Sequence, residues 1–354
     1  MDYAKDQARP QASRTSCRFA NPLAGAIPAA RQSRFRGIPG RDLGTVQSCG
    51  TIAAEFQGNP TVSQPAFDLQ ATISRLFVYP VKSCAGVELP EMLLTETGLE
   101  FDRAWMVVDA QGEFVTQRQL PRMALIKPQM KHTEVLLRAP GMLALHLAFD
   151  RVEKPVRVRV WKDEVAAYDM GDIAAQWFSD FLSEPGKPQT LRLVRFDPEH
   201  RRLSSMKWTD GVEAQTQFAD GYALLVASEG SLAELNDRLA AQGHGPVGIE
   251  RFRPNIVLAG IESHDEDRVE ALHITTGEGE AELRPVKPCT RCPIPDIDPA
   301  TALSSPEVGN TLRTYRADAR VDGGITFGMN CIVIQGVEHT LKVGQQVGAN
   351  YRFE

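Results

Sequence analysis

Lys287-Pro288-Cys289-Thr290-Arg291-Cys292-Pro293 sets two thiols among cationic residues and closes on a proline-stiffened turn, and Asp296-Ile297-Asp298-Pro299 follows directly. Cationic neighbours favour the thiolate, the form of cysteine that attacks electrophiles and ligates soft metals. Packing alone explains such a pair in many proteins, because free cysteine is often buried as a small hydrophobe. A structural zinc site needs four ligands, usually as two spaced pairs, and this chain has one pair. Its other cysteines, Cys17, Cys49, Cys84 and Cys331, stand singly. A dithiol-exchange motif belongs beside a βαβ unit, whereas these surroundings have strand and turn character. A single thiolate metal ligand remains as a candidate beside plain packing, and the rest of the chain must decide between them.

The chain that must position this thiolate has 354 residues, 42% of them hydrophobic and 24% charged, which fits two globular domains with tails. Residues 1–70 carry a net charge of +3 and the remainder −9. An acidic body of that kind excludes nucleic-acid binding as the main task, which needs a basic face to displace counterions. No apolar run reaches the roughly 18–20 residues that span a bilayer, and Phe19–Ala30 is broken by Pro22 and Pro28. Between Asp6 and Asp42 there are seven arginines and no acidic residue, which mimics an organellar transit peptide. Interspersed prolines and glycines favour a disordered extension over residues 1–70. Scattered cysteines point to a reducing compartment, so the expected location is cytoplasmic, or mitochondrial if residues 1–70 are a transit peptide.

Regular structure is expected from about Phe67. Alternation predicts strands over 72–81, 87–97, 104–109, 113–118, 123–131, 134–138, 142–149 and 155–161, with Ala110-Gln111-Gly112 as a turn. Helical spacing covers Asp172 to Leu182 with Asp172 as N-cap, and strand resumes over 191–196. A polar, arginine-bearing loop spans 197–211, a length that is often functional. Further strands are expected at 223–227, 255–259, 269–275, 281–286, 328–335 and 340–347. Ser228 is placed to cap a helix over 232–239, and a short helix is expected over 306–316. The expected class is α+β, predominantly antiparallel β and closer to barrels than to a doubly wound sheet, with domains at 71–189 and 190–354.

Four segments in order, Tyr79-Pro80-Val81-Lys82-Ser83-Cys84, Asp102-Arg103, Arg251-Phe252-Arg253-Pro254-Asn255 and Cys289-Thr290-Arg291-Cys292, resemble the MOSC-domain proteins. Within these the likeness is to the amidoxime reducing component family and its bacterial relatives without a C-terminal ferredoxin domain, over roughly residues 71 to 350. The resemblance implies an N-terminal MOSC β-barrel-like domain, a MOSC β-barrel domain and a molybdenum cofactor (Mo-molybdopterin). It makes Cys292 the thiolate ligand of molybdenum and leaves Cys289 a neighbour. It places Lys82, Ser83, Arg103, Arg253, Asn255, Thr290 and Arg291 on the pterin and its phosphate, a task that suits arginine forks and asparagine amides. Thr116-Gln117-Arg118 and Ala219-Asp220-Gly221 fall where the family has pocket residues, with Asp220 in a catalytic position. Gly221 and Tyr222 depart from the small hydroxyl residues expected there, and Asp298 is expected to be a turn residue.

The resemblance further implies reduction of small N-hydroxylated substrates such as amidoximes, hydroxylamines and N-hydroxylated bases. No four-cysteine cluster motif is present, so electrons are expected from a separate protein of ferredoxin, flavin reductase or cytochrome type. Two alternatives stay open. One is a sulfur carrier, since MOSC domains also occur in pyridoxal-phosphate cofactor sulfurases, although this chain has no room for the pyridoxal-phosphate domain. The other is a non-catalytic carrier of molybdenum cofactor.

Overall fold

The computed structural model describes residues 67–352, and the expectation of a disordered or targeting-like extension falls almost wholly outside the described residues. Seven strands close on one another in the order Leu224–Ser228, Ile256–Ala259, Leu69–Val78, Gln346–Ala349, Leu272–Thr276, Gly279–Thr290 and Gly324–Gln335, the last pairing back with the first. All pairings in this barrel are antiparallel except Leu224–Ser228 with Ile256–Ala259. A parallel pair needs a crossover, and helix α2 (Glu229–Ala241) provides it. Ser228 caps α2 as expected, its side chain accepting from the backbone N–H of Ser231. Alternate residues of the strands, among them Ile73, Leu76, Leu224, Val226, Leu258, Leu283 and Met329, fill the interior.

A second body is built on the antiparallel sheet Trp105–Val108, Arg192–Phe196, Asp163–Asp169, Lys154–Val160 and the three-stranded sheet Lys127–Met130, Glu134–Arg138, Leu145–Ala148. Helix α1 (Asp172–Leu182) contributes Trp177, Phe178 and Phe181 to its core. Strand pairing does not follow linear order. Leu69–Val78 belongs to the barrel formed mainly by the C-terminal half, while Arg192–Phe196 pairs with Trp105–Val108 of the earlier sheet. The chain therefore crosses between the two bodies near residues 79–104 and again near 197–223, the stretches in which much of the site lies.

Local departures from the sequence expectations have identifiable causes. Residues 113–118 form isolated bridges at Glu113 and Phe114 and then a turn. The Gln119 carboxamide oxygen accepts the Thr116 backbone N–H at 3.0 Å, a local alternative to a strand ladder. Pro121 starts a 3-10 turn, Pro121–Leu125, where an uninterrupted strand over 123–131 was expected. Gly171, with φ of 91°, takes the N-cap position expected for Asp172, which lies in the first turn of α1 and pairs with Arg192. Asp163–Asp169, not anticipated, is the central partner of Lys154–Val160. The stretch expected as one strand over 340–347 is divided into Thr340–Lys342 and Gln346–Ala349.

Candidate active site

The Tyr79–Cys84 segment leaves the first barrel strand and brings Lys82 and Ser83 to one cleft. Arg103 precedes Trp105–Val108, Asp220 precedes Leu224–Ser228, and Arg253 and Asn255 precede Ile256–Ala259. Thr290, Arg291 and Cys292 come from the end of Gly279–Thr290 and the turn after it. All nine of these sequence-derived candidates line this single cleft. Cys289, Arg118, Arg251, Tyr222 and Asn330 also line it.

Three of these residues hold backbone conformations rare for a side chain: φ is 67° at Ser83, 50° at Arg103 and 58° at Arg253. Each such residue costs about 1–3 kcal/mol and persists only where its surroundings over-determine it. The compensating contacts are visible. Gln117 Nε2 donates to the Ser83 carbonyl at 2.7 Å, Arg103 N donates to the Tyr79 carbonyl at 2.9 Å, and Arg103 Nη2 donates to the Arg253 carbonyl at 3.1 Å.

Lys82 is 5% exposed and donates from Nζ to the Phe218 carbonyl at 2.7 Å and to Asp220 Oδ1 at 2.6 Å. Burial pulls its pKa down, and the Asp220 charge opposes this. Neighbouring atoms strip some water from the Asp220 carboxyl and push it up although 68% of the side chain stays accessible, but Lys82, with Arg118 and Arg103 behind it, outweighs this and holds it well below the usual carboxylate range. Asp220 is thus ionised at every physiological pH.

Arg253 and Arg103 both rest on the Tyr79 ring, at 4.2 and 4.4 Å from its centroid. Tyr79 reaches that position because residue 86 is glycine; a Cβ there would lie 2.5 Å from the ring. Burial and the neighbouring Arg103 lower the Arg253 pKa to about 10, which leaves it charged at neutral pH. Arg103 Nη1 donates to Asp102 and to Asn255 Oδ1. The Asn255 amide also accepts from Leu225 N at 3.1 Å and donates to the Phe77 carbonyl at 3.2 Å, so it braces the cleft wall.

Arg291 donates from Nε and Nη2 to the Phe327 carbonyl and from Nη1 to the Phe252 carbonyl at 3.0 Å. Its charge borders the cleft while its donors bind the Cys289–Cys292 turn to the barrel. By contrast Arg253 Nε and Nη2, and Arg118 Nη1 and Nη2, donate to no acceptor among the described residues. Both cysteines of the pair are free and partly buried, and burial raises the Cys289 pKa. Cys84 is fully buried and is pushed up to about 12, which makes it inert.

Asp298 behaves as the turn residue expected: Oδ1 accepts from Ala300 N and Thr301 N, and Oδ2 pairs with Arg251. Two residues escaped the sequence reading. Arg202, inside the 197–211 loop, is buried. It donates from Nη1 to the Gln217 and Ala219 carbonyls at 2.6 and 2.7 Å and from Nε to Asp163, orienting the segment that carries Asp220. The only signal was an arginine in a long polar loop. Trp161, expected to end a strand, instead reaches Asp220 Oδ1 through its indole N–H at 3.3 Å and lies under the Arg118 guanidinium.

Comparison with known proteins gives a consistent picture. Residues 70–185 match the MOSC N-terminal beta barrel domain and residues 213–348 the MOSC domain. The chain is 34% identical over 299 residues to mitochondrial amidoxime-reducing component 1 of Mus musculus, covering 82% of this chain and 84% of the relative. It is 34% identical to mitochondrial amidoxime reducing component 2 of Homo sapiens, with 82% and 85% covered. With component 2 of Rattus norvegicus it shares 32% over the same proportions.

Proposed function

The chain belongs to the MOSC-domain family that includes the amidoxime-reducing components, and on that footing we propose that it is a molybdenum-cofactor-dependent oxidoreductase that reduces N-hydroxylated compounds. The observation that carries this is the charge of the cleft. Of the six cations that line it, Lys82, Arg103 and Arg251 pair with Asp220, Asp102 and Asp298, while Arg118, Arg253 and Arg291 pair with no carboxylate among the described residues. Unused donors on Arg253 and Arg118 add to a demand for an anionic occupant. A phosphate-bearing cofactor rich in sulfur fits this donor set, and Cys292 at the same cleft fits a soft metal.

In this reading Cys292 holds the metal, while Lys82, Ser83, Arg103, Arg253 and Thr290 hold the pterin and phosphate. Asn255 and Arg291 fix the backbone that presents them. The bound group supplies acceptance of an oxygen atom from an N–O bond, with two electrons and two protons returning that oxygen as water. The protein binds and orients the substrate. Asp220, kept ionised beside Lys82, accepts hydrogen bonds from substrate N–H groups and does not act as a proton donor. Electrons come from a separate protein of ferredoxin, flavin reductase or cytochrome type. The mitochondrial names of the relatives support the mitochondrial alternative for location, and no helix among the described residues is long and apolar enough to cross a membrane.

The test is reduction of benzamidoxime to benzamidine by purified, molybdenum-loaded chain with an artificial low-potential donor, and its loss in Cys292→Ser. Molybdenum-loaded protein that turns over no N-hydroxylated compound with any active donor would indicate a cofactor carrier instead.

A further inference from the structure

Trp161 occupies a backbone position that costs the protein stability. The strands Lys154–Val160 and Asp163–Asp169 pair with Val160 opposite Asp163, which leaves Trp161 and Lys162 as a two-residue hairpin turn. Trp161, the first of the two, has φ of 57°. A positive φ at that turn position is usually met by glycine, since a large side chain there is strained by about 1–3 kcal/mol. About half of the ring stays open to solvent, Trp161 being 48% exposed.

What the strained tip provides is placement. The indole packs edge-on against Phe114 at 5.0 Å, its N–H donates to Asp220 Oδ1, and the Arg118 guanidinium lies 4.8 Å from its ring. Arg118 and Asp220 both line the cleft. An indole fixed at three points beside a cleft and still half open to solvent offers a flat, rigid, apolar surface at low entropic cost.

We propose that Trp161 is a specificity-determining residue: a platform at the cleft mouth that takes the ring of planar aromatic N-hydroxylated substrates and favours them over small aliphatic or inorganic ones. This rests on the function proposed above. Asp220 engages the N-hydroxylated head while the indole covers the aryl tail, so the contribution falls on substrates that have such a tail. Contact with an aryl face changes discrimination by about tenfold, the scale expected for one apolar surface in a binding site.

The experiment uses the full chain, wild type, Trp161→Ala and Trp161→Gly. Without electron donor, equilibrium binding of benzamidoxime is measured by calorimetry; both variants are expected to bind about tenfold more weakly. With an artificial donor, the ratio of kcat/KM for benzamidoxime to that for hydroxylamine is expected to fall about tenfold in both. Thermal melting of both variants establishes that they fold, since loss of the Phe114, Arg118 and Asp220 contacts opposes any relief of the turn. Unchanged benzamidoxime binding in two folded variants would overturn the proposal, as would a ratio that stays fixed because both substrates suffer equally. Wild-type chain that turns over neither substrate would refute the proposed reaction, while the binding arm would still decide the platform.

Discussion

Lys82 Nζ sits 2.6 Å from Asp220 Oδ1, and the two partners differ sharply in exposure: 6% of the Lys82 side chain is accessible against 68% of Asp220. The pair ties the turn after the first barrel strand to the loop before Leu224–Ser228. That asymmetry orders the effects of breaking it. Asp220→Ala strands a buried ammonium on the single Phe218 carbonyl, whereas Lys82→Met leaves a carboxylate that water reaches. Asp220→Ala is expected to cost about 2 kcal/mol, less than the 3–5 kcal/mol of a fully buried pair, and Lys82→Met less again. Denaturant melts of both variants check the order, and the reverse order would show that Asp220 depends on Lys82 instead.

The two cysteines of the Cys-x-x-Cys turn are expected to behave differently. Cys289 lies within Gly279–Thr290, its flanking residues paired with Met329 and Thr326, and burial keeps its thiol protonated. Cys292 lies on the turn beyond. Cys292→Ser should purify with at least tenfold less molybdenum, since serine is a harder and far less acidic ligand, while Cys289→Ser retains most of it. Metal analysis of protein from a cofactor-competent host measures this, and equal loss in both variants would contradict the assignment.

Arg291 and Arg118 both border the cleft but hold different contacts. Arg291→Ala removes donors from the Phe327 and Phe252 carbonyls and should cost about 2–3 kcal/mol. Arg118→Ala removes the contacts to Thr116 and Trp161 and a longer-range attraction to the largely exposed Asp220, and should cost below about 1 kcal/mol. Unfolding of cofactor-free protein compares the two without interference from ligand binding. Similar losses would mean that the Arg291 carbonyl bonds contribute little.

Away from the cleft, Glu266 is 1% exposed beneath the start of α2 and accepts from Ser231 Oγ at 2.6 Å and Ser228 Oγ at 2.9 Å. Burial, with the Asp267 charge, raises its pKa from 4.5 to about 7 against those hydrogen bonds. Between these values the folded chain binds more protons than the unfolded chain, so stability falls as pH rises through this window and levels above it. His264, lowered by burial and the nearby Arg316 from 6.5 to about 4, has the opposite slope between its two values. Glu266→Gln removes only the first slope. The melting temperature of the variant should therefore gain on wild type from pH 5 to pH 7 and then run parallel to it. A difference independent of pH would remove Glu266 as the titrating group.

Much of the site was legible in the chain because its chemistry is carried by short contiguous motifs. Tyr79–Cys84, Arg251–Asn255 and Cys289–Cys292 each pack their polar groups within a few residues, and a resemblance read along the sequence finds them in order. The β-rich class and the Ser228 cap followed from alternation and local capping, which are properties of neighbours in the chain. Only the tertiary structure showed which candidates keep donors free at the cleft and which spend them on its walls. Whether Arg291 and Asn255 spend their donors on carbonyls 30 or more residues away depends on barrel closure, which no local pattern encodes. The same holds for Leu69–Val78 joining strands nearly 280 residues distant, for Arg202 orienting the Asp220 loop, and for Trp161 reaching Asp220 from a hairpin tip. Those placements arise from long-range pairing and burial, so residues that seemed ordinary in sequence became parts of the site once the two bodies folded.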